Sequence, residues 1–272
     1  MMIQYRDDCV TVYQSALYQT TTTVILTEAA VIVVDPNWLP AEIEEIRAHV
    51  RKSRGKRDVY LLFTHGDFDH ILGYRAFPSA KAIGSVGLRE HPGKAQQLQQ
   101  IRDFDQQYYV SRDYPIEFPE LDFAIGEDGR QLRLGDATLT FYLAPGHTED
   151  GLMTVVEPFG ILIAGDYLSD IEKPFVSHSA KAYAGTIRKA ESILDRHAIR
   201  LLVPGHGRAT ADPAEMKERA RTASDYLERL RRAVVENDEH ALEALGKEHA
   251  FPSAFTEASH QENIRIVSRE YV

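Results

Sequence analysis

The stretch Thr64-His65-Gly66-Asp67-Phe68-Asp69-His70 decides how the rest of the chain is interpreted. It places two histidines and two carboxylates within six positions, directly after the apolar run VYLLF at 59–63. A short apolar run without helical spacing predicts a buried strand, and open α/β sheets bind ligands beyond the carboxyl ends of their strands. Four dehydrated polar groups beside such a strand are costly without a metal or another partner, so the stretch predicts a site.

Other apolar segments also end at a potential ligand. The segment 31–34 precedes Asp35, 161–165 precedes Asp166, and 199–203 is followed by His206. If these strands lie side by side with 59–63, their acids and histidines meet on one rim. The run Pro145-Gly146-His147 follows a further predicted strand at 138–143.

Aspartate and histidine are suitable ligands for Zn, Fe or Mn, and a site for two such ions needs about six or seven protein ligands, one of them bridging. The candidate metal ligands are His65, Asp67, Asp69, His70, His147, Asp166 and His206.

The remaining pattern is that of an α/β protein. Paired strands are predicted at 24–26 and 31–34, a strand at 81–85, a hairpin at 131–143, and amphipathic helices at 41–52 and 180–197. A polar, Gln- and Tyr-rich insertion occupies about 88–119, with a helix predicted over 94–109. We expect a catalytic domain over 1–211. A helical extension over 212–272 should pack on it, with two helices hinging near Asn237 and a short closing segment at 263–272.

Three residues are weaker candidates for substrate contacts. Tyr108 and Tyr114 belong to the insertion, and insertions beside a site commonly form binding walls. His178 precedes the helix at 180–197. Each has a simpler alternative: the tyrosines pack the insertion onto the body, and a histidine at a helix entry is structural.

Composition excludes several classes of partner. Among 272 residues, 31 are basic and 41 acidic, so the net charge is −10 and a polyanion such as nucleic acid would be repelled. Cys9 is the only cysteine, which favours a reducing compartment. Without a visible signal peptide or a membrane-spanning run, we expect a cytoplasmic protein with a small-molecule substrate and no membrane partner. The C-terminal helices either cover the sheet or mediate a homodimer.

In combination, the motifs resemble those of the metallo-β-lactamase fold superfamily of metal-dependent hydrolases. The resemblance covers about residues 24–209 and rests on His65-x-Asp67-x-Asp69-His70, Pro145–Thr148, Ala164–Asp166 and Pro204–Gly207. It implies a four-layer αββα sandwich with two divalent metal ions at one edge. Carried over by position, the first ion is bound by His65, Asp67 and His147, the second by Asp69, His70 and His206, and Asp166 bridges them. Asp35 matches an acid that supports the ligand loop.

Asp67 is a departure from the usual pattern of the superfamily, which has HxHxDH where this chain has HxDxDH. A carboxylate is a harder, negatively charged ligand than imidazole, so it favours Fe or Mn relative to a third imidazole. We expect Zn first, with Fe or Mn as the alternatives. The flavodiiron branch of the superfamily has a carboxylate here, but it continues into a flavin-binding domain for which 213–272 is too short and too helical.

The resemblance implies a dinuclear metallohydrolase in which a metal-bound hydroxide attacks the substrate. Asp69 would orient this hydroxide and carry its proton to the leaving group. A small ester, thioester or lactone is the first hypothesis for the substrate. The alternatives are phosphodiester hydrolysis, an iron-dependent redox reaction with oxygen or sulfur species, and a binding module without catalysis.

Overall fold

The computed structural model describes residues 1–272 and contains two β-sheets. The first sheet has seven strands in the order β1 to β7. Its first four strands are antiparallel, and β4, β5, β6 and β7 run parallel to one another. The strands are β1 (Met2–Arg6), β2 (Val10–Gln14), β3 (Thr21–Leu26), β4 (Ala30–Val34), β5 (Asp58–Leu62), β6 (Lys81–Ser85) and β7 (Phe123–Ile125).

The second sheet has five strands in the order β12-β11-β10-β9-β8. All neighbours are antiparallel except β11 and β12, which are parallel. The strands are β8 (Gln131–Leu134), β9 (Ala137–Leu143), β10 (Leu152–Glu157), β11 (Ile161–Ile163) and β12 (Leu201–Val203).

Helices cover the outer face of each sheet. The helices are α1 (Pro40–Arg54), α2 (Phe68–Ile71), α3 (Val86–Arg89), α4 (Lys94–Gln107), α5 (Ala180–Arg196), α6 (Pro213–Glu236), α7 (Glu239–Gly246) and α8 (Ala254–Tyr271). One apolar core lies between the sheets, a second joins the first sheet to α1 and α4, and a third joins the second sheet to α5, α6 and α8. The predicted four-layer αββα sandwich is therefore confirmed.

The ligand-bearing strands form two pairs, one in each sheet. β4 and β5 are parallel neighbours in the first sheet, and β11 and β12 are parallel neighbours in the second. The condition that all four lie side by side in one sheet is therefore not met. Their carboxyl ends still meet, because backbone hydrogen bonds join the sheets at this edge: Leu152 N–H donates to Thr64 O at 2.8 Å, and Thr21 N–H donates to Gly205 O at 2.7 Å.

The C-terminal region differs from the expectation. The break between α6 and α7 falls at Asn237, whose φ is 53°, as predicted. The segment expected as a short closing stretch at 263–272 is instead the second half of the 18-residue helix α8. Helices α6 and α8 share a core with α5 and the second sheet. The division of the chain at residue 211 stays a prediction. No helix combines the length and apolar character needed to cross a membrane.

Asp7 connects the first hairpin to the second sheet. Its Oδ1 accepts hydrogen bonds from the backbone N–H groups of Cys9 and Val10, at 2.9 and 2.8 Å, and its Oδ2 accepts one from Arg200. Burial raises the pKa of Asp7, but these hydrogen bonds outweigh it and lower the pKa to about 2. The folded state therefore favours the ionised carboxylate.

Asp7→Asn is expected to lower the free energy of unfolding at pH 7 by about 1 kcal/mol, after allowing for solvent screening. Because the folded pKa is depressed, this contribution is present above the unfolded pKa of about 3.9 and is lost as the pH falls toward 2. Urea unfolding of both proteins from pH 7 to pH 3 measures it, with the neighbouring Asp8→Asn as control. A difference that does not shrink on acidification would contradict this role.

Candidate metal centre

Four histidines present one ring nitrogen each to a common centre at the edge of the two sheets. The other nitrogen, Nδ1, is held by a nearby oxygen in every case. These Nδ1 contacts are His65 to Thr64 Oγ1 at 3.0 Å, His70 to Asp35 Oδ2 at 3.0 Å, His147 to Phe175 O at 2.7 Å and His206 to Tyr18 O at 2.9 Å. Histidines that bind metals are oriented in this way, with the free Nε2 directed at the ion.

Asp166 lies at the middle of this arrangement. Its Oδ2 is 3.6 Å from His65 Nε2, 3.2 Å from His147 Nε2 and 3.3 Å from His206 Nε2. Its Oδ1 is 3.2 Å from His70 Nε2. Both oxygens thus face imidazole nitrogens, the arrangement that a bridging carboxylate requires.

Asp67 and Asp69 lie next to different pairs of histidines. Asp67 Oδ2 lies 3.2 Å from His147 Nε2 and 3.7 Å from His65 Nε2. Asp69 Oδ2 lies 3.3 Å from His206 Nε2 and 3.6 Å from His70 Nε2. The structure therefore brings all seven predicted ligands together, and in the same two groups of three that the resemblance implies.

The buried aspartates and histidines of the centre shift one another's pKa values. Burial lowers the pKa of His206, but Asp166 and Glu172 outweigh it and raise the pKa to about 10. The pKa of His70 is raised in the same way by Asp166 and Asp69. Burial raises the pKa of Asp166, but the surrounding histidines hold it well below its usual range. The carboxylates therefore stabilise positive charge in the centre.

The donor set fits divalent metal ions. The buried His65 Nε2 has no hydrogen-bond partner, and Asp166 Oδ1 has none of suitable geometry although His70 Nε2 lies 3.2 Å away. Unpaired buried polar atoms are costly. A bound cation would interact with both His65 Nε2 and Asp166 Oδ1 and would supply the positive charge that the carboxylates stabilise. Imidazole and carboxylate together suit Zn, Fe or Mn.

A buried carboxylate and a glycine hold the ligand loops in position. Asp35, at the end of β4, accepts hydrogen bonds from Thr64 N–H at 2.9 Å and Thr64 Oγ1–H at 2.6 Å, and it also contacts His70. Gly205 comes so close to the centre that a Cβ atom there would lie 2.1 Å from Asp166 Oδ1. Glycine is therefore required for the loop after β12 to reach Asp166.

A cavity of 310 Å³ opens onto the centre. Asp67, Asp69, His147, Asp166 and His206 contribute to its wall. The weaker substrate candidates Tyr108, Tyr114 and His178 do not line it. The Tyr114 hydroxyl instead accepts a hydrogen bond from Arg112, and the exposed Tyr108 stacks on Phe104 at 4.7 Å between ring centroids.

Two unpredicted polar residues of the cavity, Glu172 and Gln97, lie close to candidate ligands through their side chains. Glu172 lies 3.9 Å from His206 Nδ1, and burial raises its pKa to about 7. Gln97, on α4, donates to Asp67 Oδ1 at 3.0 Å and accepts from Phe68 N–H at 2.9 Å. Neither residue follows a strand or belongs to a motif, so the sequence carries no signal for them.

Gln97→Leu is expected to weaken the metal site of His65, Asp67 and His147 by about 10- to 100-fold, the usual cost of losing an outer hydrogen bond to a ligand. The variant leaves Asp67 free to rotate away from the centre. Competition between the protein and a chromophoric chelator for Zn²⁺ measures the affinity. Gln99→Leu is the matched control, because Gln99 lies on the same helix but bonds only the exposed Asp103. Equal affinities in the two variants would contradict this role for Gln97.

Together, the fold and the donor set define an α/β sandwich with a candidate metal centre at one edge. A model of the metallo-beta-lactamase superfamily matches residues 16–235. The chain belongs to this superfamily.

Individual relatives agree with this assignment. The chain is 27% identical over 188 residues to a metallo-beta-lactamase type 2 of Bacillus sp. (strain 170), and 26% identical over 187 residues to that of Bacillus cereus. Each alignment covers 68% of this chain, and the chain spans only 65% of the length of these relatives.

Solved structures share the fold at lower identity. A metallo-beta-lactamase family protein from Thermus thermophilus has a TM-score of 0.68 at 16% identity, covering 96% of this chain and 93% of its own. The sec-alkylsulfatase Pisa1 from Pseudomonas sp. has a TM-score of 0.68 at 15% identity, covering 96% of this chain and 49% of its own.

Proposed function

We propose that the protein is a dinuclear metallohydrolase that cleaves a small ester, thioester or lactone. The observation that carries this proposal is the convergence of four imidazole Nε2 atoms and three aspartates at the shared edge of two sheets, open to a cavity. His65, Asp67 and His147 would hold one cation and Asp69, His70 and His206 the other, with Asp166 between them. Divalent cations there would supply Lewis acidity and make hydroxide available near neutral pH.

Asp69 is the residue that we assign to proton transfer. Its carboxylate lines the cavity and is within 3.3 Å of His206 Nε2. In that position Asp69 Oδ would accept a proton from the attacking water and return it to the leaving group, as a general base and then a general acid. Asp166, which faces four imidazole nitrogens, is less available for this role.

The charge of the cavity favours an uncharged carbonyl substrate over a phosphodiester. Four carboxylates, Asp67, Asp69, Asp166 and Glu172, line the cavity, and no lysine or arginine does. Phosphate groups are commonly bound by arginine or lysine side chains. An anionic substrate would find no cationic side chain in the cavity and would depend mainly on the metal ions for its binding.

Elemental analysis of protein purified without chelator, combined with assays on p-nitrophenyl acetate and bis(p-nitrophenyl) phosphate, tests the proposal. We expect about two ions per chain and preferential cleavage of the ester. Bound iron together with oxygen uptake would contradict the proposal and indicate a redox function. Cleavage of bis(p-nitrophenyl) phosphate faster than of p-nitrophenyl acetate would instead indicate that the substrate is a phosphodiester. Asp67→His is the matched variant for metal choice: it is expected to shift selectivity toward Zn, because imidazole is the softer ligand.

A further inference from the structure

A second and larger cavity adjoins the metal cavity. Its volume is 510 Å³, and the two cavities share Tyr18, Glu172, Phe175 and Phe255 in their walls. We call this space the apolar chamber, because aromatic and aliphatic side chains form most of its lining. One wall of the chamber comes from residues 249–256, which include the end of the connection between α7 and α8 and the first turn of α8.

Two residues link the apolar chamber directly to the metal centre. The backbone oxygens of Tyr18 and Phe175 hold the Nδ1 atoms of His206 and His147, at 2.9 and 2.7 Å. Both residues also line the apolar chamber and the metal cavity. If one end of a substrate molecule lay in the apolar chamber, its other end would therefore lie next to the metal centre.

The aromatic rings of the chamber form a continuous row. The Phe255 ring lies 5.8 Å from that of Tyr18 and 5.5 Å from that of Phe175, which is 5.8 Å from His249. Tyr18, Phe251 and Phe255 are 48, 57 and 52% exposed. Clustered exposed apolar side chains are typical of binding sites, since an isolated protein gains nothing from exposing them together.

The lack of cationic side chains in the chamber limits which ligands it can bind. No lysine or arginine lines it, and Glu172, at the junction with the metal cavity, is its only acid. Burial lowers the pKa of His249, which favours the neutral ring at pH 7. A carboxylate on a bound chain would lose its hydration without gaining an ionic partner.

We propose that the apolar chamber binds one extended, uncharged hydrocarbon chain of the substrate. Continuity with the metal cavity, the row of aromatic rings and the lack of cationic side chains together favour this occupant. The inference rests on the proposed hydrolytic function and narrows it to esters, thioesters or lactones that carry such a chain.

Binding can be tested without catalysis, in the full chain with its metal. The neutral fluorescent probe N-phenyl-1-naphthylamine is displaced by n-alkanols from butanol to decanol. We expect the alkanol affinity to rise about two- to fourfold per methylene until the chamber is filled. Phe255→Ala should flatten this dependence, and so should Ala250→Phe, which fills the chamber from its wall. The control Val235→Ala removes a similarly exposed apolar side chain from α6, outside both cavities.

A second assay separates this inference from the proposed function. Methyl esters of butanoate to decanoate should show the same rise in kcat/KM, and an ω-carboxylate should remove the advantage of a long chain. Chain-dependent alkanol binding without hydrolysis of any ester, thioester or lactone that carries such a chain would support the chamber and overturn the proposed hydrolase. Hydrolysis and alkanol binding that are both independent of chain length would overturn the chamber and leave the hydrolase intact.

A second copy of this chain is the competing occupant of the aromatic surface. Light scattering of the wild type and of Phe255→Ala distinguishes a dimer interface from a substrate-binding chamber. A dimer that dissociates in Phe255→Ala, and that excludes the fluorescent probe, would overturn the assignment of the chamber to substrate. A monomer that binds the probe supports it.

Discussion

Asp166→Ala is expected to lose more than about 100-fold in metal affinity and to retain almost no hydrolytic activity. Loss of an outer hydrogen bond to a ligand already costs about 10- to 100-fold, and Asp166 is assigned as the ligand common to both ions. Its two oxygens face four imidazole nitrogens within 3.6 Å, so no other side chain can replace it. Metal content by elemental analysis and ester hydrolysis are the measurements.

The appropriate control for Asp166→Ala is Asp195→Ala. Asp195 is an exposed carboxylate that pairs with Lys217 on the protein surface. Circular dichroism of both variants establishes that the fold is retained. If Asp166→Ala kept its metal and its activity, Asp166 would not be a ligand, and the dinuclear site would have to be replaced by a site without a bridging carboxylate.

The candidate ligands were predictable because their signals are local. His65, Asp166 and His206 each follow a short apolar strand, and strand ends determine where side chains emerge from a sheet. The same reasoning predicted most strands and the long helices except α8. It did not predict that the strands form two pairs in separate sheets, because strand order depends on contacts between residues far apart in the sequence.

Helix α8 shows why other parts could not be predicted. The residues that it buries are His260, Asn263, Ile266 and Val267, so only the second half of its inner face is apolar and the apolar stripe is short. Asn263 is stabilised instead by three hydrogen bonds: it accepts one from Val176 N–H, and it donates to Pro174 O and to Tyr226 Oη. A hydrophobic period cannot reveal a helix that packs through buried polar contacts.

The sequence pattern did not predict the roles of Gln97 and Glu172, for a related reason. Gln97 lies on a polar helix where the neighbouring glutamines Gln96, Gln99 and Gln100 look equivalent in sequence. Only the packing of α4 against α2 selects Gln97 to contact Asp67. The sequence therefore predicts ligand types, but the tertiary structure decides which polar residues support them.

Asp69→Asn is expected to lower kcat by about 10²- to 10⁴-fold, the usual range for removal of a general acid–base group. Asparagine keeps the size of the side chain and an oxygen that can contact a metal, but it cannot accept a proton. KM should change little, because the cavity keeps its shape. Steady-state ester hydrolysis at saturating metal, together with metal content, measures the effect.

Added metal distinguishes proton transfer by Asp69 from a role in metal binding alone. If Asp69 moves a proton, excess metal will not restore kcat in Asp69→Asn. If Asp69 serves only as a ligand, excess metal will restore kcat. An Asp69→Asn variant with full activity and full metal content, without added metal, would refute both roles, because the amide can neither accept the proton nor supply the negative charge that the carboxylate brings to His70 and His206.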